Sequence, residues 1–143
     1  MTSSIFPDLN VWIALTLDTH QHHEVAWRWY VTLPDTVDLV FCRFTQIGFL
    51  RLLTSRAVTG DGVLTQGQAW AAYDRWILEG DCVFAEEPLA VEVEFRALAN
   101  ATRSSPKEWA DSYLAAFAAA SAMDLITLDK ALYARARSAV LLG

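Results

Sequence analysis

Long apolar runs are missing from this sequence of 143 residues. No window reaches the roughly 18 consecutive apolar residues that a membrane-spanning helix needs. The richest stretch, residues 109–123, is interrupted by Asp111. The first seven residues also lack the basic segment and the long apolar segment of a secretory signal peptide. We therefore expect a soluble protein that is neither secreted nor embedded in a membrane.

Basic residues and cysteines are also few. The chain has 11 lysines and arginines against 17 aspartates and glutamates, which gives a net charge of −6. This balance argues against a protein that grips nucleic acid by bulk electrostatic attraction, but it is compatible with a local basic rim. Cys42 and Cys82 both lie in apolar, strand-like runs. Because no secretory signal accompanies them, we interpret them as reduced core residues of a cytoplasmic protein.

The composition that remains is typical of a folded domain. Hydrophobic residues make up 54% of the chain, aromatic residues 12% and charged residues 20%. Intrinsically disordered chains have the opposite composition. The length is close to the usual size of one domain and is sufficient for a sizeable core. We therefore expect a single domain over residues 1–143.

Strand-like and helix-like segments alternate along the chain. The predicted strands cover residues 4–6, 38–42, 82–84, 125–127 and 139–142, and the predicted helices cover residues 11–17, 24–32, 45–54, 65–78, 88–100, 105–123 and 130–137. The clearest helix start is the capping box formed by Ser105 and Glu108, with Pro106 at the first helical position. Strands separated by helices predict an α/β fold, a three-layer sandwich in which helices flank a central, mostly parallel sheet.

Three aspartates stand apart from the other acidic residues, which lie in turns or on outward helix faces. Asp8 and Asp129 directly follow predicted strands, and ligands of open parallel sheets bind at the carboxyl ends of the strands. Asp111 lies about two turns into the helix from residue 105, on a face that is otherwise apolar. Buried carboxylates are neutralised, paired or bound to metal. Together the three predict a catalytic site for a hard cation such as Mg²⁺ or Mn²⁺.

Each aspartate also has a purely structural interpretation. Asp8 and Asp129 would serve as N-caps of the helices that follow them, because aspartate is a preferred capping residue. For Asp111 the alternative is a buried ion pair with an arginine.

The same residues carry a resemblance to PIN-domain toxins of the VapC type. The opening motif of that family is similar to FPDLNVWIA at residues 6–14, its second motif to WADSYLAA at residues 109–116, and its third motif to LITLD at residues 125–129. A subgroup of these toxins also resembles CRFTQIGFLRLLT at residues 42–54. Each motif alone is weakly specific, but their order and spacing cover nearly the whole chain.

The resemblance implies a metal-dependent endoribonuclease that acts as the toxin of a toxin–antitoxin pair. In such an enzyme Asp8, Asp111 and Asp129 would hold Mg²⁺ or Mn²⁺, which activates water for attack on an RNA phosphodiester. Asn10 would support Asp8 by a hydrogen bond, and Thr127 would line the site. The implied partners are an RNA substrate such as tRNA or rRNA, an antitoxin that wraps the toxin and places an arginine near the acids, and a second copy in a homodimer.

The chain departs from the family pattern at Gln46, where many members carry a glutamate on the helix after the second strand. An amide can ligate a metal through its oxygen or hold a metal-bound water, but it adds no negative charge. Asp124 and Glu108 are conceivable substitutes, and neither is preferred. The sequence after Asp129 also departs, with Lys130-Ala131-Leu132 in place of a small and aromatic ending.

Other polar and aromatic residues receive a structural interpretation. His20, His22 and His23 fit no standard zinc spacing, and we expect a polar loop with one histidine packed on the helix that follows. Trp12 is near the predicted site, where it could stack on a base, but burial in the core is favoured. A basic rim would draw on these residues: Arg43, Arg51, Arg96, Arg103 and Lys107. For any one of them, surface ion pairing is the alternative.

Two rival functions share the fold. A non-catalytic PIN-like module that binds protein would explain Gln46, but not the retention of three aspartates. A hydrolase of other phosphoesters would use the same site on a different substrate.

Overall fold

The computed structural model describes residues 3–80 and 82–143, and its five strands form one sheet. The strands are β1 (Ser3–Pro7), β2 (Val37–Phe41), β3 (Val83–Phe84), β4 (Asp124–Thr127) and β5 (Ala139–Leu141). Their order across the sheet is β3-β2-β1-β4-β5, and every neighbouring pair is parallel. The predicted α/β sandwich is confirmed, with a sheet that is parallel throughout.

Eight α-helices connect the strands within the described residues. They are α1 (Leu9–Thr16), α2 (His23–Val31), α3 (Arg43–Leu53), α4 (Arg56–Thr59), α5 (Gln66–Leu78), α6 (Val91–Leu98), α7 (Glu108–Ala120) and α8 (Lys130–Arg135). A 3₁₀ turn at Gly60–Gly62 follows α4. None of these helices combines the length and apolar character that crossing a bilayer would require.

The alternation of side chains along the strands separates two hydrophobic cores, one on each face of the sheet. In β2, Leu39 and Phe41 face the core beneath α1, α3 and α5, whereas Val40 faces the core beneath α7. The same division occurs in β4, where Ile126 and Leu125 face opposite sides. This arrangement produces the three layers that the sequence predicts.

The core on the α1 side is strongly aromatic. Trp12 is fully buried and stacks on Phe41, with ring centroids 3.8 Å apart and planes 12° from parallel. Trp76 packs edge-on against Trp12 and donates a hydrogen bond from its indole to the Thr16 hydroxyl (2.9 Å). The preference for burial of Trp12 over base stacking is therefore confirmed.

The start of α7 differs from the prediction. The helix begins at Glu108, and its N-cap residue, Lys107, provides no side-chain cap. The predicted capping box is not formed, because Ser105 lies before the helix and its side chain bonds to the Glu108 carboxylate, which also accepts hydrogen bonds from Arg103 and Arg135. These charge-assisted bonds are stronger than a bond to a backbone amide. The helix also ends at Ala120, before the predicted Met123, and the short helix α4 is absent from the prediction.

Candidate active site

Asp8 is a buried acid at the carboxyl end of the central strand. Its side chain is 3% exposed, and its backbone N–H donates to the Ile126 carbonyl of β4 (2.9 Å). The Asp8 carboxylate accepts the Val11 N–H through Oδ1 (3.0 Å), which caps α1, and the Thr127 hydroxyl through Oδ2 (2.5 Å). Burial raises the pKa of Asp8 to about 6, and the nearby Asp129 charge adds to that effect.

Asp129 occupies the equivalent turn after β4. Its Oδ1 accepts the Ala131 and Leu132 N–H groups (2.8 and 3.3 Å), which caps α8. Its own N–H donates to the Thr127 hydroxyl (2.9 Å), so Thr127 bonds to both aspartates. The N-cap interpretation is thus correct for Asp8 and Asp129. Because both caps lie at one sheet edge, capping also brings the two carboxylates together.

Asp111 reaches this edge from a different element. Because α7 begins at Glu108, Asp111 lies in the first turn rather than two turns in, and it is half-buried instead of enclosed. Burial raises the pKa of Asp111, the Asp129 charge raises it further, and Arg135 partly opposes the shift. No cationic side chain of the described residues forms an ion pair with Asp111, so the alternative interpretation of Asp111 as half of a buried ion pair is not observed.

The three carboxylates share a favourable position at helix N-termini. Asp8 and Asp129 cap α1 and α8, and Asp111 lies in the first turn of α7. The positive end of a helix dipole stabilises negative charge. The charge of Asp129 raises the pKa of both other acids. Across residues 3–80 and 82–143, however, no three carboxylate, histidine or cysteine side chains are close enough to hold a metal ion.

The donor chemistry nevertheless fits a hard cation. The candidate ligands are all carboxylate oxygens, which Mg²⁺ and Mn²⁺ prefer. Within the described residues, Asp129 Oδ2 and both Asp111 oxygens accept no hydrogen bond, so they are available as ligands. The charge of Asp8 has no cationic partner there. A metal held by all three would require the carboxylates to come closer together than they are in this structure.

The side chains of Asn10 and Gln46 do not make the contacts that the family resemblance implies. Asn10 is exposed, and its interaction with Asp8 comes from the backbone N–H rather than the side chain. Gln46 is buried, and its amide oxygen accepts a hydrogen bond from the Arg43 guanidinium. The Gln46 amide also bonds to the hydroxyl of Tyr73. Gln46 is thus engaged with Arg43 and Tyr73 and adds no charge to the acidic site.

The two conceivable substitute acids are also engaged elsewhere. Asp124 begins β4, at the opposite edge of the sheet from Asp129, and accepts a hydrogen bond from Ser138. Glu108 binds Arg103 (3.1 Å) and Arg135 (2.6 Å). Sequence reasoning missed Arg135, because nothing in the pattern of the last helix distinguishes it from the nearby surface arginine Arg137.

The remaining sequence expectations concern histidines and cysteines. His23 begins α2, stacks on Trp27 (5.9 Å) and places its Nδ1 2.7 Å from the Ala14 carbonyl, so one histidine does pack on that helix. Cys42 and Cys82 are buried and form no disulfide among the residues that the structure describes, as predicted for core thiols.

Comparison with known proteins places this geometry in a family. The family model of the PIN domain matches residues 5–138, nearly the whole chain. The chain therefore belongs to the PIN-domain family.

A curated relative shows to which group of PIN-domain proteins the chain belongs. The chain is 41% identical over 128 residues to Ribonuclease VapC41 of Mycobacterium tuberculosis, and the match covers 87% of this chain and 88% of the relative. The chain is thus a member of the VapC ribonuclease toxins, which confirms the predicted family and enzyme class.

Solved structures show the same fold at low identity. VapC20 of Mycobacterium tuberculosis, a toxin that cleaves the sarcin–ricin loop, matches 91% of this chain and 93% of its own, with a TM-score of 0.65 and 17% identity. VapBC2 of Rickettsia felis, bound to a DNA fragment from its promoter, matches 98% and 99%, with a TM-score of 0.68 and 8% identity.

Proposed function

We propose that this chain is a metal-dependent endoribonuclease toxin in which Asp8, Asp111 and Asp129 hold Mg²⁺ or Mn²⁺ and carry catalysis. The single observation behind this proposal is the electrostatic coupling of Asp129 to both Asp8 and Asp111 at the carboxyl edge of the sheet. One of them, Asp8, is buried, and no cationic side chain is among the groups that shift its pKa. An uncompensated buried carboxylate is costly, and a bound cation would relieve that cost.

The chain's own residues prepare this edge for a charged ligand. The Thr127 hydroxyl orients Asp8 by donating to Oδ2, and it holds the Asp129 backbone at the same time. Three helix N-termini offset part of the repulsion between the carboxylates. When bound, a divalent cation supplies an acidified water and neutralises charge on the scissile phosphate.

The expected partners follow from the relatives. A VapC ribonuclease acts on RNA, and we propose a structured cellular RNA such as tRNA or rRNA as the substrate. The structural neighbours include the VapBC2 assembly, which supports a cognate antitoxin for this chain. We further propose a homodimer, a single PIN domain over residues 1–143 and action in the cytoplasm, where such RNAs are found.

The test is RNA cleavage by purified chain that carries no partner. A pool of tRNA and ribosomal RNA would be incubated with Mg²⁺, Mn²⁺ or EDTA, and the wild type compared with Asp111→Asn and Asp35→Asn. Asp35 lies exposed between α2 and β2, away from the acidic edge, so its variant is the matched control. We expect discrete fragments that require metal, and a loss of at least about 100-fold in rate for Asp111→Asn alone.

Two results would contradict the proposal. Cleavage by Asp111→Asn at the wild-type rate would show that Asp111, and therefore α7, contributes nothing to the catalytic site. An intact pool in every lane, with each protein shown to be folded, would favour the rival protein-binding module that Gln46 supports.

A further inference from the structure

A cavity of about 470 Å³ opens beside the acidic edge. It lies between the α6–α7 connection, the first turn of α7 and Arg135 of α8. Its volume falls in the usual range for small-ligand sites, about 300–1,000 Å³. Glu108 and Ser112 line this cavity from α7, the helix that also carries Asp111. The cavity is therefore a neighbour of the proposed catalytic centre rather than a separate region.

The cavity carries an excess of positive charge. Arg103 and Arg135 both bind the single carboxylate of Glu108. Among the seven ion pairs of the described residues, this is the one acid that two arginines share. The lining thus holds two guanidinium groups and one carboxylate, and Asp111 interacts with Arg135 from outside the lining, so Arg103 is the group left for another anion.

The two arginines are suited to different tasks. Arg135 is partly buried and fixed by hydrogen bonds to the Leu98 carbonyl (3.3 Å), Ser112 Oγ (3.0 Å) and Glu108. Arg103 is 70% exposed, so it is free to reorient toward an incoming group. Arginine guanidinium groups bind phosphate oxygens in a bidentate manner.

An aromatic side chain borders the same cavity. Trp109 is 59% exposed, and it packs edge-to-face against Phe95 with ring centroids 6.0 Å apart. It lines both this cavity and a second one that includes Phe95 and Arg96. An exposed indole beside arginines is the combination on which single-stranded nucleic acids stack their bases.

We infer that this cavity binds one nucleotide of the RNA substrate, next to the scissile phosphate. Trp109 stacks on its base, and Arg103 with Arg135 contacts its phosphate. This inference rests on the proposed function, since it gives the acidic site a substrate strand. The hydroxyls of Ser104 and Ser105 in the same wall favour a polar, charged ligand over an apolar protein segment.

Binding without cleavage tests the inference separately from catalysis. The probe is a fluorescein-labelled single-stranded RNA of 12 mixed nucleotides, titrated in EDTA so that no metal-dependent reaction occurs. Trp109→Ala and Arg103→Ala would be compared with Trp70→Ala and Arg75→Ala, which alter an exposed indole and an exposed arginine of α5. A melting curve would verify that each variant is folded, and Trp109→Phe would test whether another aromatic ring restores binding.

We expect Trp109→Ala to weaken RNA binding by about 10- to 100-fold, as loss of a stacking platform does. Trp109→Phe should recover most of that loss. Arg103→Ala should weaken binding several-fold and reduce its dependence on salt, because one phosphate contact is removed. The two α5 variants should stay within about twofold of the wild type.

Competition by mononucleotides tests the phosphate contact of the cavity separately from the base contact. Adenosine 5′-monophosphate should compete with the labelled RNA more strongly than adenosine does, and the difference should shrink in Arg103→Ala, which leaves Arg135 as the remaining phosphate contact. Equal affinity of Trp109→Ala and wild type for RNA would overturn the inference. So would a Trp109→Ala variant that binds RNA normally but no longer binds the partner protein, since the cavity would then be a protein-docking surface.

Failure of this inference is distinguishable from failure of the proposed function. If the wild type cleaves RNA and Trp109→Ala cleaves with an unchanged KM, the subsite is wrong and the nuclease stands. If RNA binding depends on Trp109 but no metal produces fragments, the subsite stands and the nuclease is wrong.

Discussion

The turns after β1 and β4 have the same local design and different surroundings. Each consists of a strand, an aspartate and a helix that the aspartate caps. Asp8 follows the central strand of the sheet and is 3% exposed, whereas Asp129 follows a strand one place nearer the edge and is partly exposed. The local sequence therefore determines that each aspartate caps a helix. The position of the strand in the sheet determines how deeply the carboxylate is buried, and so how much its ionisation costs.

The largest expected difference between the two turns is in stability. The pKa of Asp8 is raised from 3.8 to about 6, which corresponds to about 3 kcal/mol for keeping the acid ionised. In EDTA at pH 8, Asp8→Asn should therefore be more stable than the wild type by up to about 3 kcal/mol. Asparagine is also a good N-cap, so α1 keeps its cap.

Because the pKa of Asp8 is raised in the folded state, the stability of the wild type depends on pH in a predictable direction. A raised pKa in the folded state means that the wild type loses stability as the pH rises from about 4 to about 6. The advantage of Asp8→Asn should thus be near zero at pH 4, grow through this range and level off above it. Urea unfolding at several pH values measures this difference. An advantage that is constant with pH would show that ionisation of the buried Asp8 carboxyl is not its cause.

The Thr127 hydroxyl connects the two turns, and the next largest effect is expected when it is removed. Thr127→Val removes the hydroxyl that donates to Asp8 and accepts from the Asp129 N–H. A buried group left without its partner costs about 1–3 kcal/mol, so we expect a loss of that size at pH 8 in EDTA. Thr127→Ser keeps the hydroxyl and is the control. Thr127→Val keeps the methyl group and the shape of threonine, so a Thr127→Val variant as stable as the wild type would show that these two hydrogen bonds do not stabilise the fold.

The smallest change in stability is expected at Asp129, the N-cap of α8. Asp129→Ala removes the cap of α8 and should cost about 1 kcal/mol, whereas Asp129→Asn preserves the cap and should cost only a few tenths. Chemical denaturation of both variants in EDTA makes the measurement. A stabilising effect of Asp129→Asn as large as that of Asp8→Asn would mean that the two turns do not differ in the way described.

Much of the fold and part of the site could be predicted from the sequence. Apolar periodicity located every strand, and the rule that ligands bind at the carboxyl ends of parallel strands placed Asp8 and Asp129 at one edge. The burial of Asp111 could not be predicted, because it depends on where α7 begins. One partner of the Glu108 carboxylate, Arg135, is 27 residues away in the sequence, so no local pattern could predict that contact.

The role of Gln46 also depends on contacts that no local pattern reveals. Its position after β2 agrees with the family motif, but its amide oxygen is occupied by Arg43, and Tyr73 of α5 completes its surroundings. Such contacts are set by how α3 and α5 pack on the sheet. The sequence therefore indicates that Gln46 stands where many family members have a glutamate. The structure adds that the Gln46 side chain is held by Arg43 and Tyr73.

The most direct test of the account is whether one metal ion draws all three aspartates together. The melting temperature would be measured with Mn²⁺ and with EDTA for the wild type, Asp8→Asn, Asp111→Asn and Asp129→Asn. At Mn²⁺ well above its Kd, binding should contribute about 2–3 kcal/mol, which for a chain of this size is a rise of at least about 4 °C. We predict that each variant loses most of this rise. A full rise in Asp111→Asn would contradict the account, because the metal would then be held without α7.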